Sequence, residues 1–128
     1  MAKFGLGGEG EGLVRWRDTQ LFLCPPVRYL EFLWLLDHAR IVLTDSGGIQ
    51  EETTVLGVPC ITIRENTERA VTIREGTNHL VGTEPEAVLQ KAREILRASR
   101  TQDSPTPPLW DGKAGVRIAN DLVSWLRR

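Results

Sequence analysis

Long apolar runs are missing from this chain of 128 residues. No stretch of about 18 consecutive apolar residues occurs, so no transmembrane helix is expected. Charge of one sign is also missing. Sixteen Lys and Arg against seventeen Asp and Glu leave a net charge of -1, which argues against a nucleic-acid or membrane surface. Lysine is scarce: Lys3, Lys91 and Lys113 are the only ones, and arginine carries the remaining positive charge. Cysteine is limited to Cys24 and Cys60, each in an apolar run and neither in a CxxC or His-spaced pattern. They read as buried, reduced thiols, which excludes a disulfide framework and leaves no visible metal site. The glycine-rich, acidic opening from Met1 to Gly12 does not resemble a signal peptide. Together these features lead us to expect a cytoplasmic protein of one modest domain without a cofactor.

What is present alternates between strand and helix patterns. Gln20–Cys24 reads as a short strand stopped by Pro25-Pro26. Tyr29–Ala39 carries Leu30, Leu33 and Trp34 at helical spacing. Ile41–Thr44, Cys60–Arg64 and Asn78–Val81 read as further strands. A helix over Gly48–Leu56 is closed by Gly57 and followed by Pro59. Ala70–Glu75 reads as a short turn or helix, and Pro85–Ala98 as an amphipathic helix with proline in its first turn. The expected layout is α/β, a Rossmann-like parallel sheet of about four strands with flanking helices. Its parts are an irregular segment over 1–19, the half-domain over 20–98, a connector over 99–115 and a last helix over 116–128.

The run Thr44-Asp45-Ser46-Gly47-Gly48-Ile49-Gln50-Glu51-Glu52 is the most informative stretch. It lies where a buried strand hands over to a helix, a junction whose free N–H groups and dipole suit a phosphate. Paired glycines are poor helix formers, each costing about 1 kcal/mol against alanine, so bare backbone for close ligand approach is their natural explanation. A capping box is absent, because Ile49 follows Ser46 by three. The plainer alternative is that Ser46 or Asp45 caps the helix and the glycines form a turn. Glu52 lies about 9 Å further along a helix of 1.5 Å rise, a reach that suits ribose hydroxyls.

Arg64–Arg69 follows the next strand, so it should flank the Ser46 turn beyond the carboxyl ends of the strands. Arg69 could clamp a phosphate oxygen; its alternative is a salt bridge to Glu65 or Glu68. Phe32 could stack on a base or pack in the core. His38 reads as a helix-end partner for the dipole, and His79 has no evident partner. No residue is assigned a catalytic role.

Tyr29-Leu30-Glu31-Phe32-Leu33, the Leu43–Glu52 run, Asn66-Thr67-Glu68-Arg69, Gly76-Thr77-Asn78 and Trp110–Ala114 occur in that order. Together they resemble the C-terminal part of the non-hydrolysing UDP-N-acetylglucosamine 2-epimerases, over roughly Leu21–Leu126. The resemblance implies a truncated C-terminal domain of a GT-B type enzyme. Such enzymes interconvert UDP-GlcNAc and UDP-ManNAc by eliminating UDP and adding it back with C2 inverted. It implies UDP or UDP-GlcNAc as the partner, with Ser46, Gly47 and Gly48 on the diphosphate and Arg69 on phosphate. Glu52 would take the ribose, Phe32 would pack on uracil, and backbone near Val27 would read its edge. It also admits a homodimer.

The chain departs from the family in its length and in Ala70, where a proline usually follows Thr-Glu-Arg. The family's catalytic acids and the histidine of its Thr-His-Arg strand end have no match here. The implied function is therefore a UDP half-site without activity of its own. A GT-B glycosyltransferase fragment and a non-catalytic nucleotide-binding module are the rival readings. By the same resemblance Gln20–Cys24 loses its family neighbours. It is expected to shift beside Ile41–Thr44, or to pair between two chains.

Overall fold

The computed structural model describes residues 14–15, 20–98 and 106–127. The segments 1–13, 16–19 and 99–105 therefore lie outside the described residues, and with them most of the irregular N-terminal stretch and much of the connector. The chain divides into two units, Met1–Phe32 and Leu33–Arg128.

In the first unit β1 (Val14–Arg15) pairs antiparallel with β2 (Phe22–Leu23), Val14 opposite Leu23 and Arg15 opposite Phe22. The expected strand at Gln20–Cys24 thus exists in shortened form, but it is not a fourth strand of the parallel sheet and is not paired with Ile41–Thr44. Two causes combine. Pro25-Pro26 ends the strand by removing N–H donors, and an antiparallel partner a few residues upstream needs a much shorter loop than a parallel crossover. Cys24 is exposed, contrary to its reading as a buried thiol, because the prolines end the strand beside it. Cys60 is buried as expected, and burial pushes its thiol above the ordinary range.

Helix α1 (Tyr29–His38) runs across the unit boundary. Glu31 accepts from the Arg28 N–H at 3.0 Å, which satisfies a donor at the start of the helix. His38 takes the helix-end role expected of it: its Nδ1 lies 2.9 Å from the Trp34 carbonyl, and its ring stacks on Trp34 at 4.0 Å. The buried face is that of Leu36, while Leu30 and Trp34 of the expected stripe are exposed.

The second unit contains β3 (Val42–Thr44), α2 (Gly47–Leu56), β4 (Cys60–Thr62), α3 (Ala70–Arg74), β5 (Asn78–Leu80), α4 (Pro85–Arg97) and α5 (Ala114–Leu126). The three strands form a parallel, Rossmann-like sheet in the order β3-β4-β5. Central β4 is buried at all three positions, as a parallel strand covered on both faces must be. Val58, Cys60 and Ile61 are the apolar centre. Around them lie buried polar residues: Gln50, Thr53, Thr54, Thr62, Thr72 and Asn78. Gly57 ends α2 in the left-handed conformation at φ 68°, with its N–H returned to Thr53 and Thr54 carbonyls.

The last helix begins at Ala114, two residues before the expected boundary, a difference within ordinary end fraying. Its start is tied by Asp111, which accepts from the Lys113 N–H at 3.0 Å and pairs with Arg117 at 2.9 Å. Ile118, Leu122, Val123 and Trp125 are exposed along this helix.

One pH dependence follows from β5. Partial burial, then the nearby Lys91 charge, hold the His79 imidazole below its usual value, with Glu94 acting weakly the other way. Below the ordinary histidine range the unfolded chain therefore binds the proton that folded His79 resists. The stability is present above that range and is lost as pH falls through the folded value. The urea midpoint is expected to fall between pH 7.5 and 5.5, and to fall less in His79→Gln. An equal fall in both proteins would remove His79 as a cause.

Candidate functional site

The carboxyl end of β3 leads through Asp45 and Ser46 directly into α2. Ser46 takes the N-cap position in extended backbone, φ -81° and ψ 129°, but its side chain makes no capping hydrogen bond. The Thr44 hydroxyl instead accepts from the Ser46 N–H at 3.0 Å. Side-chain capping is therefore not what Ser46 does here. The first turn, with Gly47 and Gly48, keeps its unpaired N–H groups and the positive end of the dipole.

The loop after β4 comes to the same place. A Cβ built on Gly47 would meet Glu68 Oε1 at 3.2 Å, Arg69 Nε at 3.8 Å and Arg69 Cγ at 3.9 Å. The absence of a side chain at Gly47 thus makes room for this second loop. Arg69 pairs with neither Glu65 nor Glu68. Its Nε lies 2.9 Å from Glu51 Oε1 on α2. The N–H is not aimed at that oxygen, so the contact is an ion pair without a hydrogen bond. Neither Nη group makes a hydrogen bond among the described residues, and such a guanidinium edge matches phosphate oxygens. Glu65 is engaged elsewhere, accepting from the Thr83 N–H at 3.2 Å and its hydroxyl at 3.1 Å. Glu68 pairs loosely with Arg64 at 3.5 Å. Its own backbone N–H and then Arg64 hold the Glu68 carboxyl below the usual range, so it is ionised at neutral pH.

The five expected site residues of the second unit are Ser46, Gly47, Gly48, Glu52 and Arg69. The structure gathers the glycine turn and Arg69. Glu52 lies in the second turn of α2, half-buried, with no side-chain partner among the described residues. Val27 and Phe32 belong to the first unit; Val27 is exposed and Phe32 half-buried at α1. Sequence reasoning missed the Arg69 partner Glu51, and it gave no role to Gln50. Gln50 is fully buried on the inward face of α2 beside Thr53 and Thr54. That face is polar, so apolar periodicity could not mark it. Among the described residues no three His, Cys, Asp or Glu side chains come together as a metal site. No described helix is long and apolar enough to cross a membrane.

These features define a parallel α/β protein in which a glycine-led helix N-terminus and one arginine meet at the carboxyl edge of the sheet. A family model described as UDP-N-acetylglucosamine 2-epimerase matches residues 11–123, and the chain belongs to that family. Membership decides against the glycosyltransferase reading. The UDP-N-acetylglucosamine 2-epimerase of Methanocaldococcus jannaschii is 46% identical over 106 residues, which cover 83% of this chain and 28% of that protein. A crystal structure of the M. jannaschii UDP-GlcNAc 2-epimerase in complex with UDP-GlcNAc and UDP aligns with a TM-score of 0.67 at 45% identity, over 77% of this chain and 26% of the other. S. aureus MnaA in its UDP co-structure aligns with a TM-score of 0.71 at 31% identity, over 82% and 29% of the two chains. This chain thus spans less than a third of the length of these relatives.

Proposed function

We propose that this chain is a C-terminal portion of a UDP-GlcNAc 2-epimerase and carries the half of the site that holds UDP. The observation that supports it is the approach of Glu68 and Arg69 to Gly47 at an uncapped helix N-terminus. In this reading Ser46, Gly47 and Gly48 present backbone to the diphosphate and Arg69 supplies the countercharge. Glu52 accepts from the ribose hydroxyls. Phe32 packs on uracil and backbone near Val27 reads its edge. The ligand is UDP or UDP-GlcNAc, not nucleic acid or a membrane, and the cytoplasm, where UDP-sugars are made, is the proposed compartment. A homodimer is compatible with the same reading and is tested by sedimentation.

One half of a cleft binds weakly. A millimolar dissociation constant, about -4 kcal/mol, is expected. Titration of the chain with UDP should move the amide resonances of Gly47 and Gly48. Arg69→Ala should weaken UDP about tenfold, as loss of one charge-assisted hydrogen bond implies. Glu52→Ala should weaken UDP while leaving inorganic pyrophosphate unchanged. Fixed Gly47 and Gly48 resonances with shifts elsewhere would overturn the site. Equal losses for UDP and pyrophosphate in Glu52→Ala would overturn the ribose role.

A further inference from the structure

The Arg69 backbone is held by a closed ring of hydrogen bonds. Its N–H donates to Thr67 Oγ1 at 3.1 Å. The Thr67 hydroxyl donates in turn to Gln50 Oε1 at 2.7 Å. On the other side, the Arg69 carbonyl accepts from the Thr72 hydroxyl at 2.8 Å. Thr72 Oγ1 accepts from Asn78 Nδ2 at 3.0 Å, and the same amide donates to Gln50 Oε1 at 3.2 Å. Asn78 Oδ1 is occupied by the Thr62 hydroxyl at 2.7 Å. With the amides in this orientation each hydroxyl in the ring donates once and accepts once.

We infer that Gln50, with Asn78, is a positioning residue that sets Arg69 against Gly47 by fixing the Arg69 backbone through Thr67 and Thr72. The inference rests on the UDP-binding reading above for its functional meaning. Three considerations carry it. Gln50 and Asn78 are both buried, at 0% and 2% exposure, and Gln50 Oε1 and both polar atoms of the Asn78 amide are bonded there, as buried polar atoms must be. The ring ties together α2, the loop after β4, α3 and β5. Its members flank the side chain it serves: Gln50 precedes Glu51, the ion-pair partner of Arg69, and Gly47 lies one turn back on the same helix.

The test compares Gln50→Leu, which keeps size and removes the acceptor, with Thr54→Val, which alters a buried residue outside the ring. Both are made in the full chain and studied where each is folded by circular dichroism. Amide hydrogen exchange is read at Arg69 against Ile61 at the sheet centre. In Gln50→Leu the Arg69 amide should exchange at least tenfold faster relative to Ile61, and in Thr54→Val the ratio should be unchanged. UDP affinity should fall at least fivefold in Gln50→Leu, with no further loss when Gln50→Leu is added to Arg69→Ala. An unchanged Arg69-to-Ile61 ratio in Gln50→Leu overturns the inference, whatever UDP does. So does a further loss of UDP affinity in the double variant. Failure of the unsubstituted chain to bind UDP sinks the binding reading instead, and the exchange ratio then decides the positioning role by itself. If Gln50→Leu is not folded, Gln50→Met and Asn78→Leu replace it under the same criterion.

Discussion

Incubated with UDP-GlcNAc, the chain of 128 residues is expected to form no UDP-ManNAc. Inversion at C2 through elimination and re-addition of UDP requires a proton to leave the sugar and a proton to return. Positioned general acids and bases typically contribute 10²–10⁴-fold each, on the order of several kcal/mol, and work best with pKa values near the working pH. The Glu68 carboxyl beside Gly47 does not meet that condition. Glu68 is held below the usual range by its backbone N–H and by Arg64, which makes it a poor proton donor at neutral pH and a weak base. Glu51 is committed to Arg69. In the reading proposed above, this edge offers a diphosphate a helix N-terminus and Arg69, and these alone do not move the sugar proton. The M. jannaschii enzyme serves as positive control. Turnover by this chain approaching about 10 per second, an ordinary enzyme rate, would overturn both this expectation and the half-site reading.

Gly76→Ala is expected to destabilise the second unit by about 3 kcal/mol, the upper range for overpacking a closed site. A Cβ there would lie 2.6 Å from Thr54 Cγ2, 2.6 Å from the Thr72 carbonyl oxygen and 2.7 Å from Thr54 Oγ1. Neither neighbour can yield cheaply. Thr72 O is backbone. Thr54 is buried, and its hydroxyl donates to the Gln50 carbonyl at 2.8 Å, which fixes its rotamer. Gly115→Ala is the matched control, because nothing lies within 4 Å of its added Cβ on helix α5. That change should be neutral or stabilising by up to about 1 kcal/mol through helix propensity. Urea titrations with a common slope measure both. A Gly76→Ala midpoint equal to that of the unsubstituted chain would show that the Thr54–Thr72 wall is soft.

The sequence by itself determined the local elements and which turn follows each strand of the sheet. The strand–Ser-Gly-Gly–helix run, the stop at Gly57-Val58-Pro59, and the placing of Arg69 after the next strand are each set within a few residues. Turn chemistry and the apolar run of β4 suffice to read them. Tertiary structure alone decided the rest, because the deciding contacts cross long stretches of chain or lie on a polar face. The partner of Gln20–Cys24 was set by which free strand edge closed the shorter loop, and no pattern inside the strand encodes that. Cys24 and Cys60 sit in similar apolar runs, yet one ends beside prolines in the open and the other lies in the central strand. Arg69 had two acids near it in sequence and chose a third, Glu51, from another element. Gln50 meets Thr67 and Asn78 across 17 and 28 positions. A buried glutamine among threonines looks like a surface residue to any reading by hydrophobicity. Only the folded backbone brings its carbonyl to the two donors that satisfy it.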